Sequence, residues 1–208
     1  MKHSYFKIPG WFNYSESYDI IADRISEDGK ILEIGSFMGR STHYLATTLH
    51  NANKENVKIY ALDTFKGSSE HANLKMPKDF LSIFEKNLKF FIDKDVIEVL
   101  QSRSDDKDMI DRFDDEFFDY IMIDGAHEYE AVKKDIENWW PKLKKDGVML
   151  GDDFNLKAVS AATQESFKKL NSKNLGVNQS SEQTWFSGKN INNARSFEKL
   201  VPGQNTLL

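Results

Sequence analysis

Two short apolar runs in this chain end on acids. Phe118 to Ile123 is followed by Asp124, and Val148 to Leu150 is followed, after Gly151, by Asp152 and Asp153. If these runs are neighbouring strands, three carboxylates converge on one point and repel one another. A hard divalent cation resolves that repulsion, and all-oxygen donors favour magnesium, manganese or calcium over zinc, with Mg2+ the expected ion. Each acid also has a plainer use, Asp124 as a turn residue and Asp152 or Asp153 as a helix N-cap. The two segments together point to a metal. His127 stands three residues beyond Asp124, in the expected first turn of the next helix and so beside that cation. There an imidazole can serve as general base. The other histidines, His3, His43, His50 and His71, have no such neighbourhood, although His71 sits in a polar loop able to cover the site.

The two parts suit the activation of a hydroxyl. An alkyl hydroxyl with a pKa near water's ~15.7 lies about 9 units above an imidazole at ~6.5, a gap of roughly 12 kcal/mol. Histidine alone does not bridge it, whereas a cation that lowers the pKa of an oxygen ligand by several units leaves a gap that a positioned base can close. For a phenol near ~10 the gap is roughly 5 kcal/mol, and the metal then matters more for orientation.

A second cluster of interest lies earlier. Leu32-Glu33-Ile34-Gly35-Ser36-Phe37-Met38-Gly39-Arg40-Ser41 joins a strand to a helix through glycines that permit a tight turn and close approach of a ligand. It departs from G-x-G-x-x-G because Phe37 holds the second glycine position. A dinucleotide pyrophosphate therefore fits poorly, and a nicotinamide-dependent oxidoreductase is disfavoured. Asp63 ends the next apolar run, where an acid can accept hydrogen bonds from both hydroxyls of a ribose; by itself it also reads as a turn aspartate.

The elements that must position these residues form an α/β pattern. Lys30 to Ile34, Val57 to Leu62, Val96 to Leu100, Phe118 to Ile123 and Val148 to Leu150 read as five strands, each followed by a turn and a helix. Helical stripes are expected at Phe80, Phe84, Leu88 and Phe91, at Tyr129, Val132, Ile136 and Leu143, and at Val159, Ala162, Phe167 and Leu170. Pro141 should end or kink the second of these helices, and Asp146-Gly147 should turn the chain into the fifth strand. Tyr18, Ile21 and Ile25 suggest a short helix before the first strand, preceded by Trp11, Phe12 and Tyr14, which either close over a cleft or pack on the sheet. Leu175 to Val177 and Thr184 to Phe186 read as a closing antiparallel pair. The expected architecture is a Rossmann-like, doubly wound sheet of seven strands, mostly parallel with an antiparallel last strand and helices on both faces. One domain is expected over 1–189, with an N-terminal helical and aromatic cap over 1–28 and an Asn-rich tail over 190–208. In an open parallel sheet, ligands bind beyond the carboxyl ends of the strands, where all the residues singled out above lie.

The motifs E-I-G-S-x-x-G-R-S-T, D-T-F-K-G and I-D-G-A-H-x-Y stand in order after the first, second and fourth strands. In this the chain resembles class I S-adenosylmethionine-dependent methyltransferases. Within them it is most similar to the metal-dependent macrolide sugar O-methyltransferases, which are related to catechol O-methyltransferases. The resemblance covers roughly Trp11 to Phe186. It implies that Glu33, Gly35, Ser36 and Ser41 surround the amino acid part of S-adenosylmethionine and that Asp63 and Thr64 hold the ribose. Arg103 and Ser104 match the adenine-side positions, although Gln101-Ser102-Arg103 lacks the glycine often found there. It further implies that Asp124, Asp152 and Asp153 are metal ligands, Asp124 also serving catalysis and the cofactor pocket, and that His127 is the base. The implied reaction is in-line attack of a small-molecule hydroxyl, on a sugar, vicinal diol or phenol, upon the sulfonium methyl. Lys66 to Pro77 matches a mobile segment of the resembled enzymes and is expected to act as a lid.

Composition narrows the alternatives. The absence of cysteine removes disulfides, thiolate metal sites and thiol nucleophiles. Acidic residues outnumber basic ones, 33 to 28, with lysines dispersed among acids, so nucleic acid is not an expected partner. No signal-peptide core or membrane-length apolar run is present, and a soluble, cytoplasmic protein is expected. The oligomeric state is left open, a homodimer included. Two rival readings remain: a metal-independent methyltransferase acting on nitrogen or a carboxylate, and a cofactor-binding module without catalysis.

Overall fold

Alternation along the strands decides which side chains meet which layer of helices. In the computed structural model, the residues described are 1–67, 77, 79–172, 174–177, 184–190 and 193, with the backbone of 205–206. A single 3-10 turn at Tyr5–Lys7 precedes α1 (Ser15–Arg24). Then follow β1 (Lys30–Ile34), α2 (Arg40–Asn51), β2 (Lys58–Asp63), α3 (Phe80–Asp93), β3 (Ile97–Gln101) and α4 (Lys107–Asp111). The second half comprises β4 (Phe118–Ile123), α5 (Tyr129–Trp139), β5 (Leu143–Gly151), α6 (Lys157–Lys169), β6 (Gly176–Val177), β7 (Trp185–Gly188) and β8 (Asn205–Thr206).

The strand order is β3-β2-β1-β4-β5-β7-β6-β8. β1 to β5 are parallel, and β7 runs antiparallel to both β5 and β6. These are the seven expected strands, and β8, two residues within the expected tail, adds an antiparallel edge beside β6. The chain winds outward from β1 to β3 and then restarts at β4 on the other side of β1, so the switch point lies between β1 and β4.

The faces follow from period two. Ile31 of β1 and Met122 of β4 enter the core under α1, α2 and α3 with Tyr18, Leu45, Phe84, Leu88 and Phe91. Leu32, Ile34, Ile121 and Ile123 enter the opposite core with Val132, Ile136 and Trp139 of α5 and Val159, Ala162 and Phe167 of α6. By the same alternation Glu33 shares the face of Ile31, and Asp124, two residues beyond Met122, also points toward α1.

Three local expectations need correction. His127 is not in the first turn of a helix: α5 begins at Tyr129 with Glu128 at its N-cap, so His127 lies in the turn before it. Leu143 is not the last member of the α5 stripe: α5 stops at Trp139 ahead of Pro141, and Leu143 already pairs with Phe118 at the start of β5. Asp146-Gly147 therefore does not lead into the strand. It lies in a bulge within it, where the two steps from Phe118 to Tyr120 are matched by the longer stretch from Leu143 to Val148. The lid expected over Lys66 to Pro77, with His71, lies largely outside the described residues, as do the polar segment 178–183 and most of the tail.

Candidate functional site

Backbone bonds past the strand ends bring the chemistry together. Gly35 N–H donates to Leu62 O at 2.9 Å, Asp124 N–H to Ile34 O at 2.8 Å, Asp152 N–H to Ile123 O at 3.2 Å and Ser102 N–H to Asp63 O at 3.1 Å. The sheet ladder thus continues for one residue beyond each strand, and the loops leave side by side. Gly35 has φ +95°, and a Cβ there would stand 1.9 Å from the carbonyl oxygen of Asp124. Only glycine lets the turn after β1 lie against the end of β4.

A cleft of about 480 Å3 opens across these ends. Its lining includes Gly35, Asp63, Thr64, Arg103, Ser104 and Asp135. Asp63 accepts the N–H of Phe37 at 2.8 Å and of Phe65 at 2.7 Å, one on each carboxylate oxygen. Both phenylalanines have positive φ, 45° and 53°, a conformation that costs energy for a bulky residue, and the Asp63 bonds hold both turns in it. Arg103 is clamped by Asp105 through Nε at 2.7 Å and Nη2 at 3.0 Å. The Ser104 carbonyl accepts from Trp139 Nε1 at 2.9 Å, which ties this loop to α5.

Glu33, Ser36 and Ser41 lie behind the glycine turn, all buried, and Glu33 is fully enclosed. Tyr18 donates to Glu33 Oε1 at 2.6 Å, and Thr42 donates to Oε2. Burial pushes the Glu33 carboxyl above the usual range, and these hydrogen bonds oppose the rise. The structure thus separates the residues expected around the cofactor into those that line the cleft and those that brace its floor.

Beside the cleft, a cavity of about 10 Å3, room for about one water molecule, is lined by Asp124, His127, Asp152, Asp153 and Trp185. Ligand atoms of Asp124, His127 and Asp153 all lie within 4.8 Å of one another. His127 Nε2 is 2.9 Å from Asp153 Oδ2, and Asp153 adopts φ +59°. Asp152 is set slightly apart, accepting from Thr184 Oγ1 at 3.5 Å. Burial raises the Asp124 carboxyl well above its ordinary value, and Asp152 adds to the rise, while a hydrogen bond from Tyr14 opposes it. Burial, then Asp153, pushes Asp152 up to about 7, with His127 acting in the other direction. Among the described residues, no lysine or arginine forms an ion pair with Asp124, Asp152 or Asp153. The cluster's three carboxylates and one imidazole are a donor set that suits a divalent cation, which would relieve the mutual repulsion that raises Asp124 and Asp152.

Residues 32–154 match the family described as "Methyltransferase domain". The chain belongs to this methyltransferase family. A curated relative of the methyltransferase, "Uncharacterized protein y4gI" of Sinorhizobium fredii, is 27% identical over 124 residues, 60% of this chain. The chain spans only 13% of that relative's length. Among solved structures the methyltransferase is similar to CalS11, a TDP-rhamnose 3'-O-methyltransferase of calicheamicin biosynthesis. That match has TM-score 0.64 and 14% identity, over 84% of this chain and 78% of the other. The O-methyltransferase NovP gives TM-score 0.60 and 15% identity, over 84% and 77% of the two chains. An S-adenosylmethionine-dependent O-methyltransferase of Thermotoga maritima gives 0.62 and 16%, over 91% and 68%. At such identities the likeness is one of fold. The family match bears out the methyltransferase that the motifs implied, and the fold likeness bears out the architecture.

Three contributors to the methyltransferase site do not stand out in the sequence. Asp135 on α5 is 3% exposed, yet it lines the cleft. Its position one residue before Ile136 and three after Val132, on the edge of the apolar stripe, is the available signal. Tyr14 is fully buried and donates to Asp124 Oδ2 at 2.7 Å. Its place in the aromatic cap suggests closure over a cleft or packing on the sheet, and not a hydroxyl bonded to an acid. The indole N–H of Trp185 is buried beside the cavity with no hydrogen-bond partner among the described residues, and nothing in the sequence marks it. Among the described residues, no helix is long and apolar enough to cross a membrane.

Proposed function

We propose that this methyltransferase transfers the methyl group of S-adenosylmethionine to a hydroxyl of a small molecule, with help from a divalent cation such as Mg2+. The observation that carries the reading is the convergence of Asp124, His127 and Asp153 within 4.8 Å, with Asp152 adjoining, next to the cleft at the switch point. Asp124, Asp152 and Asp153 would hold the cation by their carboxylates, His127 standing beside them. When bound, such an ion lowers the pKa of an acceptor hydroxyl and balances the acids.

The chain's own groups supply the rest. Gly35, Asp63, Thr64, Arg103 and Ser104 hold the cofactor in the cleft, and Glu33, Ser36 and Ser41 brace the turn beneath it. His127 takes the proton from the acceptor oxygen, and Asp153, paired with Nε2, stabilises the imidazolium that results. The acceptor oxygen attacks the sulfonium methyl in line, the carbon–sulfur bond breaks, and S-adenosylhomocysteine leaves. Orientation contributes most when the acceptor presents two adjacent oxygens, as a vicinal diol or catechol does. The name of NovP describes O-methylation, and that of CalS11, which describes a sugar nucleotide, supports a sugar-bearing acceptor.

The test is His127→Ala and Asp153→Ala in a labelled-methyl assay with a parallel S-adenosylhomocysteine titration. Transfer should fall by about 10^2 to 10^4 while cofactor affinity stays within about twofold. Unchanged transfer in both variants sinks the assignment. The direct His127–Asp153 pair at 2.9 Å supports a second reading, metal-independent transfer through that pair. Its signature is transfer that is insensitive to a chelator but lost in His127→Ala.

A further inference from the structure

The N-terminal segment reads from sequence as a cap or as packing, yet its two innermost side chains end on the two acids that matter. Tyr14 precedes α1 at the N-cap position and Tyr18 lies four residues on, so both fall on one side of the helix. Neither is exposed at all, and their rings meet edge to face at 5.2 Å. Phe12 packs against both, at 4.8 Å and 5.7 Å, and seals them from solvent. Packing would be served as well by phenylalanine. The hydroxyls, however, are each used on a carboxylate: Tyr14 on Asp124 Oδ2 at 2.7 Å and Tyr18 on Glu33 Oε1 at 2.6 Å.

Those acids sit on neighbouring strands, Glu33 pairing with Met122 two residues before Asp124. One belongs to the cavity with His127 and Asp153, and the other lies under the turn that carries Gly35. One helical turn therefore spans both subsites. By taking one oxygen of Asp124, Tyr14 fixes the rotation of that carboxylate and leaves its other oxygen to the cluster. Tyr18 and Thr42 hold Glu33 in the same way, one on each carboxylate oxygen, two residues before Gly35. Hydrogen bonds to ligating carboxylates typically govern metal affinity by 10- to 100-fold.

We propose that Tyr14 and Tyr18 are positioning residues, Tyr14 holding Asp124 for the divalent cation and Tyr18 holding Glu33 beneath the cofactor turn. The Tyr14 half rests on the metal reading above; the Tyr18 half does not. The experiment is a pair of binding titrations on the full chain without acceptor, Mn2+ by electron paramagnetic resonance and S-adenosylhomocysteine by calorimetry, with a melting curve for each protein. Tyr14→Phe should weaken Mn2+ about tenfold or more and leave S-adenosylhomocysteine within about twofold. Tyr18→Phe should weaken S-adenosylhomocysteine about fivefold and leave Mn2+ within about twofold. Wild-type Mn2+ affinity in Tyr14→Phe overturns its assignment, as wild-type S-adenosylhomocysteine affinity does for Tyr18. Equal loss of both ligands in both variants, in step with the melting temperature, means packing alone and overturns both. A wild-type protein that binds S-adenosylhomocysteine but no Mn2+ overturns the metal reading together with the Tyr14 assignment, and Tyr18 is then judged on its own titration.

Discussion

Asp135 offers a quantitative check on the cleft, independent of any ligand. It is 3% exposed on α5, and burial, only partly opposed by a hydrogen bond from Ser104, moves its carboxyl from 3.8 to about 7. A pKa raised in the folded state means that the folded chain holds this proton more tightly than the unfolded one. The contribution is therefore fully favourable below the unfolded value near 4 and is lost as pH rises to about 7. Each tenfold difference in proton affinity between the two states is worth about 1.4 kcal/mol, so ionising Asp135 costs the fold about 4 kcal/mol at pH 8. Asp135→Asn keeps the shape and a carbonyl for Ser104 without that charge. Urea unfolding of both proteins at pH 4, 5.5, 7 and 8 isolates the effect, because every other titrating group cancels in the difference. The variant should equal wild type at pH 4, gain stability progressively above it, and exceed wild type by about 4 kcal/mol at pH 8. Parallel stability curves across this range would refute the reasoning, since they would mean that Asp135 ionises in the fold as readily as in water.

Other perturbations have expected outcomes of their own. Gly35→Ala places a Cβ 1.9 Å from the Asp124 carbonyl oxygen at φ +95°. It should lower stability by more than about 3 kcal/mol in urea unfolding and weaken S-adenosylhomocysteine in calorimetry; a variant with wild-type stability and affinity contradicts the close approach of β1 and β4. Phe84→Ala empties a fully buried site between α3 and the sheet. It should cost about 3 to 5 kcal/mol in the same unfolding assay, and a cost below about 1 kcal/mol contradicts the packing described.

Much of this is legible in the sequence because the signals are periodic. β1 and β4 occupy the expected residues, and the other three parallel strands differ at their ends. The Phe80, Phe84, Leu88 and Phe91 stripe is buried as expected. Asp63 at the end of β2 and the acids after β4 and β5 are conspicuous because each closes an apolar run at the place where a parallel sheet binds ligands. What escapes is non-local. Tyr14 and Asp124 are 110 residues apart, and nothing in either segment distinguishes a tyrosine that packs from one whose hydroxyl is spent on an acid. Leu143 misleads because a helical stripe and the first inward residue of a strand look alike when a proline separates them by two residues. Asp135 is inconspicuous because an acid beside an apolar stripe ordinarily faces water, whereas here it is buried and accepts a hydrogen bond from Ser104. His127 and Asp153 stand out in the sequence as candidates for base and ligand, but their direct pairing depends on the left-handed turn at Asp153, which favours glycine or asparagine and which sequence alone does not announce.

In the proposed function, acids from two chain segments serve methyl transfer by sharing a cation beside the cofactor cleft. Labelled-methyl transfer across sugars, catechols and phenols, run after exhaustive chelation and again with Mg2+ restored, tests this most directly. Transfer to a hydroxyl that disappears on chelation and returns with the ion is the predicted result, whereas transfer at full rate in excess chelator would contradict it.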